Sequence, residues 1–309
     1  VSTFNPPHDL PDRIANVAQQ VDLVIVVDDG SPKDPSDVLQ RIEAKGGKAI
    51  RLPFNAGIAA ALNAGINHAI HHASPDWFVT LDQDSEMSQG YVEAALATAD
   101  RARSAGIEVG FIAAESINGH IGLVRDPGAD FPEAFDPLQS GCVIPAETFR
   151  RVGLLDEDLF IDAVDSDFTM RVRQQGLRVL MGKGCDLTHT VGEARPMTIL
   201  GWHVTLRGKK NYVHYHAPFR VYYIARNGVI LVKRYLLSDP VWVAKRLYTE
   251  IIQHIVRLVY GPHRRQHLRA FLNGVRDGLR GHLGRIDDSL AAKLTVSPSP
   301  HDDESVGLK

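Results

Sequence analysis

The stretch 79-VTLDQDSEM-87 closes a run of strand formers, Trp77 to Leu81, with two aspartates one residue apart. In an extended chain residues i and i+2 share a face, so Asp82 and Asp84 project together. Two carboxylates held that close repel each other and resist burial. A divalent cation removes the conflict. Hard cations such as Mg2+ take oxygen ligands, typically one or two carboxylates plus substrate phosphates. In open α/β sheets ligands lie beyond the carboxyl ends of the strands, where this pair falls. The competing reading is an acidic loop in which Asp84 or Ser85 caps the next helix.

Outward from this stretch the chain alternates strands and helices. Strands are expected at Leu23–Val27, Lys48–Leu52, Asp76–Leu81 and Val109–Ala113, with helices at about 10–20, 35–45, 57–72 and 88–105. That alternation predicts a Rossmann-like, mainly parallel, doubly wound sheet flanked by helices. Leu23 to Val27 is continuously apolar, as in a strand covered on both faces. Residues 116–137 are polar and rich in Gly and Pro, a loop or ragged hairpin. A strand at Gly141–Ile144, a helix near 146–152, an acidic turn, a helix at 166–176 and strands at 178–181 and 186–190 follow. From about 209 the pattern reads as helical and basic. Three parts result: 1–208, 209–286 and a disordered tail, 287–309. Val1-Ser2-Thr3-Phe4 reads as the end of a strand whose start is missing.

The totals fit a soluble globular protein: 309 residues, 44% apolar and 23% charged. Two cysteines, Cys142 and Cys185, exclude a disulfide framework and fit a reducing compartment. No apolar run reaches the roughly 20 residues of a membrane span, and no cleavable signal is visible. The net charge of −3 is unevenly spread. Residues 201–285 hold sixteen Lys/Arg against three Asp/Glu, a balance of +13 that leaves −16 elsewhere. That asymmetry suggests an anionic partner for the C-terminal part: a membrane surface, a diphosphate or nucleic acid.

Two further stretches carry chemistry. Val26-Val27-Asp28-Asp29-Gly30-Ser31 ends another buried strand in an acidic pair. It lacks the Gly-x-Gly-x-x-Gly of a dinucleotide site, which argues against a Rossmann oxidoreductase. A carboxylate there can accept hydrogen bonds from a nucleobase and ribose, or belong to a plain Asp-Gly turn. Asn55-Ala56-Gly57-Ile58-Ala59-Ala60-Ala61-Leu62-Asn63-Ala64-Gly65 is a small-residue helix. It permits close approach of backbone or ligand, or is an Ala-rich core helix capped by Asn55.

In order, Thr3-Phe4-Asn5-Pro6, Asp28-Asp29-Gly30-Ser31, the Asn55–Gly65 helix and Asp82-Gln83-Asp84 resemble the inverting nucleotide-sugar glycosyltransferases of family 2, which have the GT-A fold. The Asn55–Gly65 segment is similar to the branch that uses dTDP-L-rhamnose. The resemblance continues through Ser140-Gly141-Cys142, Gly153 to Glu157 and Leu159 to Asp165, covering roughly residues 1–290. It implies that Asp28 or Asp29 reads the nucleobase and ribose. Thr3, Asn55, Gly57, Asp82 and Gln83 line the donor, and Asp82, Asp84 and His189 hold Mg2+ or Mn2+. Asp165 falls on the catalytic base, and Asp162 and Arg226 on acceptor contacts. Inverting displacement needs no covalent intermediate, so no nucleophilic Ser or Cys is expected.

The resemblance also implies a glycan or polyprenyl-linked acceptor in cell-surface polysaccharide synthesis. The stretch 241–279 places Trp, Leu, Ile and Val at helical spacings among Arg, Lys and His. A basic amphipathic pattern of that kind fits an anionic membrane surface, or helices packed on the catalytic domain with a solvated basic face. The expected location is cytoplasmic, peripheral on the inner face of the plasma membrane. Nucleic acid is disfavoured, since no zinc-finger, RNA-recognition or homeodomain pattern is present. Two rival readings remain, a UDP-sugar donor on the same fold and a non-catalytic nucleotide-binding scaffold on the membrane.

Overall fold

The computed structural model describes residues 1–190, 193–199, 202–206, 209–210, 212–295 and 306–307. Two compact units emerge. The first comprises Val1–Phe160 and Val164–His189, and the second Ile161–Ala163 with Thr190–Lys309. The first thus ends at His189.

Three parallel strands begin the first unit: β1 (Ser2–Thr3), β2 (Ile25–Asp28) and β3 (Lys48–Arg51), in the order β1-β2-β3. They are crossed by α1 (Leu10–Val17) and α2 (Ser36–Ala44). Both helices turn apolar positions to the core: Leu10, Ile14 and Val17 from α1, Val38 and Ile42 from α2. The helix α3 (Ile58–Ala73) leads to β4 (Trp77–Thr80), β5 (Ser85–Met87), α4 (Tyr91–Ser104) and β6 (Val109–Ile117), which folds back on β7 (His120–Ile121). Then come β8 (Cys142–Pro145), α5 (Ala146–Val152), α6 (Val164–Gln174) and β9 (Arg178–His189). The second sheet runs β4-β8-β6-β9-β5. Ser2 N–H donates to Leu81 C=O at 3.1 Å, which carries the first sheet across to the end of β4.

The expected parallel sheet is correct for β1 to β3 and for β6 beside β9. It fails between β4 and β6, because β8 inserts antiparallel to both. Its entirely buried sequence, Cys142-Val143-Ile144-Pro145, earns a central place. The strands expected at 178–181 and 186–190 are one strand, β9, continuous through Gly182 and Gly184. Residues 123–134 do form a ragged hairpin, bridged at Val124 and Ala134.

In the second unit strands precede the helices, so the helical reading from 209 is corrected. Short strands β10 (Glu193–Pro196), β11 (Thr198–Ile199), β12 (Trp202–His203), β13 (Thr205–Leu206), β14 (Lys209–Lys210) and β15 (Tyr212–Tyr215) pair β10 with β15, β11 with β12 and β13 with β14. Helices α7 (Pro218–Tyr235), α8 (Pro240–Tyr260) and α9 (Arg264–Arg280) follow. Proline sits in the first turn of α7 and α8, where its missing N–H costs nothing. The small face of α9 lets α7 approach closely. A Cβ on Gly274 would stand 2.4 Å from Tyr222 O, and one on Gly278 2.7 Å from Arg226 O. The tail expected to be disordered opens with α10 (Asp288–Leu294), whose Asp287 carboxylate accepts from Ser289 N and Leu290 N. Residues 296–305 and 308–309 of that tail lie outside the described residues.

Candidate active site

The chain leaves β4 through buried Leu81, turns through Asp82-Gln83-Asp84 and re-enters the sheet as β5, antiparallel to β9. That pairing sets Ser85 opposite His189. One ligand atom each from Asp82, Asp84 and His189 then lie within 4.8 Å of one another. His189 Nδ1 is 3.3 Å from Asp84 Oδ1 and 2.8 Å from Ser85 Oγ. Ser85 Oγ accepts from Ser140 Oγ at 2.7 Å, and Ser140 Oγ accepts from Asp82 N–H at 3.1 Å. Gln139 Nε2 donates to Asp82 Oδ1. Neither Asp84 nor Ser85 caps a helix, since Ser85 opens a strand and α4 starts at Tyr91. Two carboxylates and an imidazole converging this closely are a donor set that fits a divalent cation.

Two residues to which the sequence reading gave no role hold this group. Asn118, in the left-handed turn after β6 (φ 52°), donates from Nδ2 to His189 O at 2.7 Å and accepts from His189 N–H at 3.0 Å. Ser140 links both ends of the group, as above. A left-handed Asn-Gly turn is the only sequence trace of Asn118, because its partner is 71 residues away.

Gln83 faces the other way along the turn. Its Oε1 accepts from Thr3 Oγ1 and, at 3.1 Å, from Phe4 N–H, while its backbone carbonyl accepts from Arg13 at 3.3 Å. Thr3 and Gln83 thus bind β1 to the acidic turn.

Asp28 and Asp29 are both buried and both occupied. Asp28 accepts from Ser31 Oγ and from Ser31 N–H at 3.1 Å, with Arg51 Nε 3.5 Å away. Asp29 accepts from Ala56 N–H at 2.7 Å and Gly57 N–H at 2.9 Å. It therefore holds the two amides just ahead of α3, whose cap position is Gly57 and not the Asn55 expected from sequence. Burial holds its carboxyl above the ordinary range, against the pull of those two amides. Asn55 Oδ1 is buried with no hydrogen-bond partner, an orphan acceptor beside the Asp29 clamp. Gly57 (φ 98°) is required because a Cβ would meet Phe160 O at 2.4 Å. Asn63 ties α3 to the following acidic turn. It donates to Leu155 O and Glu157 Oε1 and accepts from Leu155 N–H, so Glu157 is not simply solvated.

Asp165 is the second residue of α6 and accepts from Ser166 N–H at 2.8 Å. Burial drives the Cys142 thiol well above its ordinary range, and the charges of Asp165 and Asp82 push it further. Both cysteines are free and buried.

Asp162 and Arg226 are both engaged by neighbouring groups. The Asp162 carboxylate is gripped by Arg220 at 2.5 and 3.3 Å, and the backbone carbonyls of Ile161 and Asp162 accept from Asn227 Nδ2 at 2.9 and 2.8 Å. Asp162 and Ala163 both have left-handed φ, at 63° and 65°, a strained pair for non-glycine residues. Arg226 is 1% exposed. It donates to Asn227 Oδ1 and Gly284 O and stacks over Tyr223 at 4.8 Å. Arg226 is thus enclosed in the packing of the helical unit, and the Asp162 carboxylate is paired with Arg220.

Residues 1–158 match glycosyl transferase family 2. The chain is 25% identical to dTDP-rhamnosyl transferase RfbF of Shigella flexneri, over 92% of this chain and 95% of that protein. Among solved structures it resembles S. aureus TarS, with a TM-score of 0.52 at 17% identity, covering 94% of this chain. It also resembles GalNAc-T7 with UDP, GalNAc and Mn2+, with a TM-score of 0.50 at 14% identity, covering 86% of this chain. It spans about half the length of each of those two, 49% and 54%. These likenesses identify the GT-A fold. The family match covers just over half the chain, and with it this protein belongs to glycosyl transferase family 2 and is a glycosyltransferase.

Proposed function

We propose that this enzyme transfers L-rhamnose from dTDP-L-rhamnose, with inversion, to a hydroxyl of a glycan or polyprenyl-linked acceptor in cell-surface polysaccharide synthesis, working peripherally at the cytoplasmic membrane face. The observation that carries the reading is the convergence of Asp82, Asp84 and His189 at the carboxyl end of β4. Its donor sugar rests on the likeness to RfbF, a protein named as a dTDP-rhamnosyl transferase. Among the described residues no helix is long and apolar enough to cross a membrane, which fits peripheral attachment.

Asp82, Asp84 and His189 would hold Mg2+ or Mn2+. Bound there, the ion neutralises charge on the diphosphate as it leaves. Thr3, the Asp28–Asp29 loop, Asn55, Gly57 and Gln83 surround the nucleotide in this reading, and the orphan Asn55 Oδ1 offers it an acceptor. Asp165 takes the proton from the acceptor hydroxyl as that oxygen bonds to the anomeric carbon. The bond between that carbon and the diphosphate breaks on the opposite face, and dTDP departs with the electron pair. One base and direct displacement give inversion.

The test is a screen of dTDP- and UDP-sugars, with Mn2+ and with chelator. Rhamnose transfer from dTDP-L-rhamnose that stops on chelation is expected. Turnover that survives chelation removes the metal, and preference for a UDP-hexose removes the donor. Asp165→Asn is expected to bind dTDP-sugar normally and to lose about 10²–10⁴-fold in turnover. A fully active variant discards Asp165 as base.

A further inference from the structure

The second unit carries a surface that the transfer chemistry does not use. One side of α9 packs on α7 through Gly274 and Gly278. At 3.6 residues per turn the opposite side divides into two rows. Leu268, Leu272 and Leu279 run along one edge, 46%, 56% and 62% exposed. Arg265, Arg269 and Arg280 run along the other, also exposed. The charge is all of one sign. From 251 to 286 the only acid is Asp277. It is buried, and its carboxylate is engaged by Arg276 at 2.9 Å and Tyr222 Oη at 3.0 Å.

From these rows we infer that α9 lies flat on an anionic lipid surface, with its leucines among the acyl chains and its arginines on the headgroup phosphates. The inference rests on the membrane attachment proposed above and says which face provides it. A row of guanidinium groups alone would serve a nucleic acid equally well. Leucines left half in water beside them would not, since a phosphate backbone gives them nothing to bury against. A lipid interface satisfies both rows at once. The neighbouring helix α8 exposes Tyr248, Ile252, Ile255 and Val259. That stripe has Lys245 as its flanking cation and lacks the paired rows, so the assignment is to α9.

The experiment is co-sedimentation of the full chain with phosphatidylcholine vesicles, with and without phosphatidylglycerol, at low and high salt. Wild-type protein is expected on the phosphatidylglycerol vesicles at low salt and to leave them as salt rises. An R265Q/R269Q/R280Q variant is expected to lose roughly a hundredfold in partition, the product of about fivefold per headgroup contact. L268Q/L272Q, which keeps every charge, is expected to lose binding too. R150Q, in the first unit, is the control expected to bind as wild type, and matched far-ultraviolet circular dichroism verifies each fold. Absence of wild-type binding would overturn both the attachment and this face. Undiminished binding of both α9 variants would overturn the face while the attachment stands. Equal binding to vesicles lacking phosphatidylglycerol would remove the arginines' role and, with it, the inference.

Discussion

His189 shows how a single side chain becomes part of a site. A histidine at a strand end is ordinary, and nothing near it in sequence announces a metal. The register of β5 against β9 brings it to Asp84, and two hydrogen bonds with Asn118, one donated and one accepted, fix its backbone there. Asn118→Ala is therefore expected to raise the Mn2+ concentration for half-maximal activity by about tenfold, in line with losses on removing outer partners of a metal site. At saturating Mn2+ its kcat should stay near wild type, and a metal titration of activity checks both. The pairing of Asp82 with Asp84 was legible because short-range spacing carries its signal. Asn118 and the role of Ser140 were not, because their partners lie 71 and 55 or more residues away. The burial of Arg226 was hidden for a different reason. An arginine amid tyrosines reads as a binding surface, but here the aromatic rings bury it.

Among elements, those whose apolar period is unambiguous were readable from the chain: α3, α4, β2 and β4 stand close to where the pattern places them. The order of strands was not readable. Four buried residues in β8 make a good strand, but only the hydrogen-bond ladder decides that it separates β4 from β6. The short strands between β10 and β15 escaped because two-residue ladders leave no period to detect. The contact of α7 with α9 depends on glycines that sequence reading passed over. Gly274→Leu would force a side chain against the Tyr222 carbonyl. We expect it to cost about 2–3 kcal/mol, measured by urea unfolding followed through Trp242 fluorescence. Loss below about 0.5 kcal/mol would mean that the helices can separate freely at that point.

For the whole molecule, acid should act unevenly on the two units. His254 and His267 in the helical unit are buried, and burial lowers each imidazole from 6.5 to about 4. The folded state then holds fewer protons than the unfolded chain between those values, so stability falls as pH drops from 6.5 toward 4 and levels off below. Each imidazole forced to charge costs on the order of 3 kcal/mol. The helical unit is expected to melt progressively earlier across this window, and His254→Gln with His267→Gln to flatten the dependence, read by thermal circular dichroism at stepped pH. The same chain supplies an independent gauge for the other unit. Its two cysteines both belong to the first unit, Cys142 in β8 and Cys185 in β9, and burial raises both thiols, Cys185 to about 12. Neither can be alkylated until the sheet around it opens. The rate at which an alkylating reagent reaches Cys142 is thus a clock for breathing beneath the acidic turn, and any ligand that braces that turn will slow the clock without an assay of catalysis.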